Sequence, residues 1–232
     1  MKRSKFQVLI DMIRGKIPSI KKVKKDNSIQ ISTKHLKRCI LDVRGKDNLI
    51  KIDDSASISG RIYIKVFGDN NKIEIKERVA VNSDLSIKIG QNHSNYGKVK
   101  NSEFIIGKLS KITSLDYKTL NSNAKCIIGE DCLFSFNITI YNTDAHPVYD
   151  LNTCKIINKV KDIIIGNHCW IGANSTILKN VVIADDCILG WGSVASGKYE
   201  KQHCAIAGNP AKIIKENITW SRDAGEAYIS NI

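Results

Sequence analysis

Residues Ile165–Val194 read IGNHCW IGANST ILKNVV IADDCI LGWGSV, five consecutive blocks of six. Each block opens on an aliphatic residue: Ile165, Ile171, Ile177, Ile183 and Leu189. The second place holds Gly, Gly, Leu, Ala and Gly, and the fifth holds Cys169, Ser175, Val181, Cys187 and Ser193, all small or β-branched. A period of six suits neither the 3.6 of an amphipathic helix nor a simple array of hairpins. It suits a chain wound as a triangular coil, each block making one short side and a corner, with three blocks closing a turn of 18 residues. Residues 18 apart then stack about 4.8 Å from each other. Ile165 falls over Ile183, Cys169 over Cys187, Ile171 over Leu189 and Ser175 over Ser193. Aliphatic positions fill the prism, and small residues let the chain turn its corners. Cys169 and Cys187 are thereby read as inward structural residues.

Upstream segments look like irregular versions of the same coil. GKDNLIKI from Gly45 and GDNNKIEI from Gly68 share Gly, Asn and an alternating Ile-x-Ile, and IIG recurs ending at Gly107, Gly129 and Gly166. Alternation marks strands with one buried face, and Gly-Asp-Asn clusters mark corners. The expected architecture is an all-β solenoid over residues 40–213, preceded by a basic segment 1–39 and followed by a tail 214–232. Its largest interruption is a loop over residues 141–162, and that loop contains His146.

The 232 residues are 42% hydrophobic and 25% charged, enough to bury a substantial core. No apolar run approaches the roughly 18 to 20 residues that span a bilayer, and the N-terminus lacks the apolar segment of a secretory signal. A cytoplasmic protein is expected. Seven cysteines, an odd number spread over a long chain, favour reduced thiols, and the absence of C-x-x-C spacing argues against a structural metal. The net charge of +13 is concentrated at the N-terminus, where residues 1–25 carry nine Lys or Arg against Asp11 alone. The body is only mildly basic, so nucleic acid is not the expected partner. Phe6, Leu9, Ile10, Ile13 and Ile17 recur there at helical spacing. That segment reads as a terminal helix with a solvated basic face, or as a contact to an anionic membrane surface or anionic glycan.

Four features together carry a resemblance: the repeats of 165–194, the DAHP of Asp144–Pro147, HCWIGANSTILKNV from His168, and AIAGNPAKIIKENITW from Ala205 to Trp220. They resemble the left-handed parallel β-helix acyltransferases with hexapeptide repeats, and more narrowly the sugar O-acetyltransferases of bacterial polysaccharide synthesis. The resemblance covers roughly residues 120–220 closely, and upstream it is architectural. It implies an acetyl-CoA-dependent transfer to a sugar hydroxyl, with an N-acetyltransferase of an amino sugar as the nearest rival. A non-enzymatic glycan-binding solenoid would explain the repeats but not the histidine loop.

By resemblance His146 is the catalytic base, which histidine chemistry near neutral pH suits. An acceptor usually fixes the tautomer of such a base. Asp144 and Asp150 are the local candidates, Asp144 narrowly ahead, with Asn142 weaker. Trp170 reads either as an aromatic wall or as an indole N–H aimed at the acceptor or oxyanion. Position by position, the family carries coenzyme A contact onto Ala173, Trp191, Ser196, Lys212 and Lys215, in a cleft between subunits of a homotrimer. Small Ala173 would admit the pantetheine, and the lysines would meet phosphates. Trp191 departs from the family's small residue, and SGKYEKQHC is one residue longer than the usual link. A carbohydrate acceptor completes the set, and no metal is required.

Overall fold

The computed structural model describes residues 20–91 and 97–223, so the expected helix around Phe6–Ile17, and with it most of the basic segment, lies outside the described residues. Three parallel sheets form the sides of a prism, and from Cys39–Arg44 to Cys204–Gly208 the strands fall on the first, second and third sheet in turn, apart from the short Val99–Lys100, which pairs with Ile62–Asp69. This is the expected left-handed parallel β-helix. Its first described strand, Ile20–Val23, already pairs with Cys39–Arg44, and its last, Ala211–Glu216, turns back antiparallel on Cys204–Gly208.

The 18-residue stacking is present: Ile165 pairs with Ile183, Ile171 with Leu189 and Ile177 with Ala195. First-place residues of the blocks are buried, and so are the fifth-place Cys169, Ser175, Val181, Cys187 and Ser193. The corners themselves are made one place earlier than the small residues suggest. His168, Asn174, Asn180, Asp186 and Gly192, six apart, all have φ between 50° and 68°. Asn, Asp and Gly are the residues that adopt this left-handed conformation most readily. The small fifth-place side chains instead point inward, where a thiol can reach a corner carbonyl of the adjoining coil. Cys132 donates to Gly166, Cys169 to Ala184 and Cys187 to Lys201, at 3.1 to 3.3 Å. Ser110 does the same to Gly129 one coil earlier, at 3.0 Å.

Upstream coils are longer. Cys39 pairs with Ile62 and Ile62 with Leu85, each 23 residues on, and Leu115 pairs with Ile138 at the same interval. The extra length is on one side of the triangle. Strands of the first sheet run to eight residues at Ile62–Asp69 and five at Leu115–Thr119, then shorten to four at Ile138–Tyr141, three at Thr176–Leu178 and two at Val194–Ala195. The prism therefore tapers, and its wide half needs large fillers: Phe104 and Tyr117 meet inside it with ring centroids 4.5 Å apart. The recurring IIG marks one corner column, in which a Cβ on Gly129 would stand 2.4 Å from the carbonyl oxygen of Gly166. Only glycine permits the coils to approach so closely there.

Candidate active site

The loop bearing His146 leaves the corner between the first and second sheets, directly after Ile138–Tyr141. Its root is fixed by Asn142, which is fully buried. The Asn142 amide nitrogen of the backbone donates to Lys118 O (2.9 Å), its side-chain Nδ2 donates to Lys125 O (3.2 Å), and its own carbonyl accepts from Thr119 Oγ1 (3.1 Å). Asn142 thus anchors the loop and does not reach the imidazole. Ala145 takes φ 62°, and His146 N donates back to Asp144 O at 2.7 Å, a tight reversal that turns the histidine outward.

His146 is exposed, and among the described residues its ring makes no hydrogen bond or ion pair. The Asp144 carboxylate is occupied elsewhere: Oδ2 pairs with Lys179 Nζ at 3.2 Å and accepts from Asn158 Nδ2 at 2.7 Å. Asp150 is also committed, its Oδ1 accepting from the backbone of Asn152 and Thr153 and from the Thr153 hydroxyl. Those Thr153 bonds hold its carboxyl below the ordinary carboxylate range. The residue that bridges the two flanks of His146 is Asn158, absent from the sequence reading. Its Nδ2 donates to Asp144 and to His146 O (2.9 Å), while its Oδ1 accepts from Val148 N (2.8 Å). Beyond it the loop forms a short antiparallel arm, Tyr149 bridging Ile156, that exposes Val148, Tyr149, Leu151, Ile156 and Ile157.

The other expected site residues gather on the third sheet. Trp170 lies on an outward column running Leu133, Trp170, Ile188, Ala205 and Lys215. Its indole N–H has only Ser135 Oγ, at a long 3.4 Å. Beside that column runs a lane of small residues, Gly172, Gly190 and Ala207, ending at Lys212: a Cβ on Gly172 would meet Gly190 C at 2.9 Å, and one on Gly190 would meet Ala207 Cβ at 3.1 Å. The far wall of the lane is the corner carrying Phe136, Ala173 and Trp191. Phe136 and Trp191 meet edge to face, centroids 5.1 Å apart, and Ala173 between their coils is buried. Gly172 is itself buried against the backbone of the next coil, so these small residues let successive coils pack closely beside Ala173. Lys212 and Lys215 are exposed and, among the described residues, without ion pairs. Ser196 is not in this group. It falls five places after Trp191, one side further round, in the first-sheet column that descends from Tyr141 through Leu178.

Trp220, the last residue of the GNPAK stretch, closes the opposite rim of the Trp170 column. It is buried, stacks on the His168 ring at 4.4 Å and lies 6.1 Å from the Trp170 ring. His168 joins Asp131 Oδ2 (2.7 Å) to Trp220 O (3.0 Å), and Arg222 grips Asp131 from the other side at 2.9 Å. His168 is therefore a structural corner residue that fastens the C-terminal segment.

Topology separates the two groups. The corner between first and second sheets, with His146, Asp144, Lys179 and Ser196, lies opposite the third sheet, with Trp170, Trp191, Lys212 and Lys215. Among the described residues no hydrogen bond, ion pair or ring contact joins His146 to Trp170. No cluster of His, Cys, Asp or Glu among them could hold a metal ion, and no helix among them is long and apolar enough to cross a membrane.

Residues 162–196 match the family of bacterial transferase hexapeptide proteins, described by six repeats. A polysialic acid O-acetyltransferase of Neisseria meningitidis is 37% identical over 206 residues, 85% of this chain and 86% of that protein. The crystal structure of the polysialic-acid-specific acetyltransferase NeuO superposes with a TM-score of 0.62 at 27% identity, over 90% of this chain and 95% of that one. That of the polysialic acid O-acetyltransferase OatWY gives 0.55 at 28%, over 91% and 94%. The chain belongs to the hexapeptide-repeat acyltransferases of bacteria, in the branch of the capsular polysaccharide O-acetyltransferases.

Proposed function

We propose that the protein transfers an acetyl group from acetyl-CoA to a hydroxyl of a bacterial surface polysaccharide or its precursor, in a site completed by two copies of the chain. The observation that carries this is the separation of His146, at the corner between the first and second sheets, from Trp170, Trp191, Lys212 and Lys215 on the opposite side, groups that can act together only across a subunit boundary. A homotrimer about an axis parallel to the prism brings such a corner against the neighbouring third sheet. An outward aliphatic column on the second sheet, Ile105, Ile127, Ile164 and Val182, and the exposed apolar arm beside His146 supply surfaces suited to that contact.

In this site the free ring nitrogen of His146 takes the proton as the sugar oxygen attacks the thioester carbonyl. The tetrahedral oxyanion collapses, the C–S bond breaks, and the imidazolium returns the proton to the departing thiolate. General-base assistance of this kind contributes about 10² to 10⁴-fold. The Trp170 indole N–H, poorly satisfied by Ser135, donates to the acceptor or oxyanion. Asp144 acts with Lys179 and Asn158 to hold the backbone that aims His146, so its orienting effect runs through the loop. The pantetheine arm runs past the Ala173 and Trp191 corner, Lys212 and Lys215 meet phosphates, and Ser196 borders the neighbouring corner. Free thiols and an acyl donor made inside the cell support a cytoplasmic reaction.

Complementation between subunits tests this. His146→Ala and Trp170→Ala are each expected to lose at least about a hundredfold in acetyl-CoA turnover with a polysaccharide acceptor. In assemblies formed from equal amounts of both, about a quarter of the shared sites contain neither lesion, and that share of activity returns. Mixed assemblies with no recovered activity would refute the shared site, and an active His146→Ala would refute the base.

A further inference from the structure

The wide face of the first sheet carries a column of cations that the fold does not need. Lys65 stands opposite Lys88, and Lys88 opposite Lys118, on three successive coils. The column continues to Tyr141, the residue from which the His146 loop departs, and Lys118 Nζ lies 5.5 Å from the centre of its ring. Burial alternates along Leu85–Ile89 and Leu115–Thr119 with the lysines on the outward places, and Lys65 is exposed. Like charges placed directly opposite on neighbouring strands repel and cost stability. Compensation on this face is incomplete. Lys88 pairs with Asp116 (3.0 Å), but Asp42, the residue opposite Lys65, is taken by Arg44 (2.9 Å). Among the described residues Lys65 has no ion pair, and Lys118 has only the Tyr141 ring.

The second sheet shows that this is not a general habit of the surface. There the outward column at the same coils alternates in sign, Lys72, Glu103 and Lys125, with a Lys125–Glu103 contact of 2.9 Å. Beside it, two places along the same strands, begins the aliphatic column proposed for the subunit contact. The first sheet is accordingly the open, charged side, and its cations are aligned with the prism axis toward the His146 corner. From Lys65 to Tyr141 is three coil spacings, about 14 Å. That length exceeds one sugar unit.

We infer that the Lys65–Lys88–Lys118 column, ending on Tyr141, is a binding track for a polyanionic glycan, which lies along the wide face and delivers its acceptor unit to the His146 loop. The inference rests on the acetyl-transfer reading of that corner and adds a site and a charge requirement to it. Carboxylates of successive sugar units replace the missing counterions, and the Tyr141 ring offers a flat apolar surface to the unit nearest the loop. The track acts on binding and lies outside the reacting atoms.

The probes are fluorescently labelled polysialic acid and the same polymer with its carboxyl groups reduced to alcohols. The parent protein should bind the charged polymer at least tenfold more tightly than the reduced one, with an affinity that falls as salt rises (roughly, from screening of exposed charges). Lys65→Gln with Lys118→Gln should weaken binding of the charged polymer about tenfold and leave the reduced polymer unaffected. Turnover at saturating charged polymer should stay within about twofold of the parent, because the lysines do not touch the reacting atoms. The melting temperature should hold or rise, since two of three opposed cations are gone; a column serving stability would lower it. Lys51→Gln, on the second sheet one coil before Lys65, is the control that changes none of these. Equal binding of charged and reduced polymers overturns the inference, and so does a double variant that binds like the parent. A parent that ignores the charged polymer but binds anionic phosphatidylglycerol vesicles through these lysines overturns it in favour of a lipid surface. Failure of the transfer reading is visible separately, as a His146→Ala protein with full turnover and unchanged polymer binding.

Discussion

Asn158→Ala removes the one side chain that spans both flanks of His146. It deletes a donor to the Asp144 carboxylate (2.7 Å), a donor to His146 O (2.9 Å) and an acceptor for Val148 N (2.8 Å). A neutral hydrogen bond contributes about 1 kcal/mol net, and one to a charged group about 1.5 to 3. The site is exposed, so water replaces part of each bond, and about 2 to 3 kcal/mol of loop order is the reasonable loss. If His146 must be held to act, that becomes a fall of roughly 30- to 150-fold in kcat/KM. Asn158→Asp should be at least as damaging: it keeps an acceptor for Val148 but loses both donors and sets a carboxylate against Asp144. Global stability should not follow, because the arm beyond Asn158 is built of exposed residues and contributes nothing to the core. The assay is thiol release from acetyl-CoA with a polysaccharide acceptor, alongside thermal unfolding of the same preparations. Full activity in Asn158→Ala, with the fold intact, would refute the argument that the loop positions the base. A melting temperature lowered by more than a few degrees would show that the loop supports the coil instead.

Two further outcomes follow from the coil itself. Gly129→Ala places a Cβ 2.4 Å from Gly166 O, a backbone atom that cannot turn aside, in a column whose ladder bond Gly129 N to Ile165 O is 2.8 Å; overpacking plus a weakened bond should cost about 2 to 4 kcal/mol, read by urea unfolding. Of the seven cysteines only Cys154 is exposed, so a thiol reagent should label one group quickly and the other six only on unfolding. Burial pushes the Cys39 thiol up to about 12 and the Cys126 thiol higher still. A raised value in the folded chain means that the unfolded chain ionises first as pH rises. These thiols therefore contribute their full stability below the ordinary thiol value of about 8.5 and lose it progressively above, through the folded value. Unfolding midpoints measured from pH 8 to 11 should fall, and less so in Cys39→Ala once its own cavity cost is subtracted.

The regular half of the fold was legible because its three sides are equal, so one six-residue period describes every side and corner. The wide half hides the same architecture behind unequal sides. Gly45 and Gly68 stand 23 residues apart, which is the coil length there, yet the corner conformation is also taken by Arg78 and Leu109, residues that advertise no turn. His146 could be found because a loop interrupting a repeat is conspicuous in sequence. Its surroundings could not. Asn158, Lys179 and the Asp131–His168–Trp220–Arg222 cluster come together from positions 12 to 91 residues apart, and no local pattern announces such contacts. Ser196 shows the same limit from the other side. Its motif places it with Ala173 and Trp191, but five residues after Trp191 in an 18-residue coil is a different side of the prism.

The position of the His146 loop follows from the taper. First-sheet strands drop from five residues at Leu115–Thr119 to three at Thr176–Leu178, with Ile138–Tyr141 between. A coil that narrows must end its longer side somewhere, and the polar groups exposed at that step have to be satisfied inside the prism. Asn142 does this, taking up backbone partners from Lys118 and Lys125 while Thr119 binds its carbonyl. The chain is then free to leave as a loop without opening the core. The same step places the end of the wide lysine-bearing face beside the loop root, because Tyr141 is at once the last member of that column and the last strand residue before Asn142. One change in strand length thus fixes both where His146 emerges and where an axially bound chain would meet it. Extending the narrow side at Thr176–Leu178 would remove the ledge while leaving every loop residue in place. A protein so altered should keep its affinity for acetyl-CoA and lose transfer to polymer, and retention of both would break the link between taper and site.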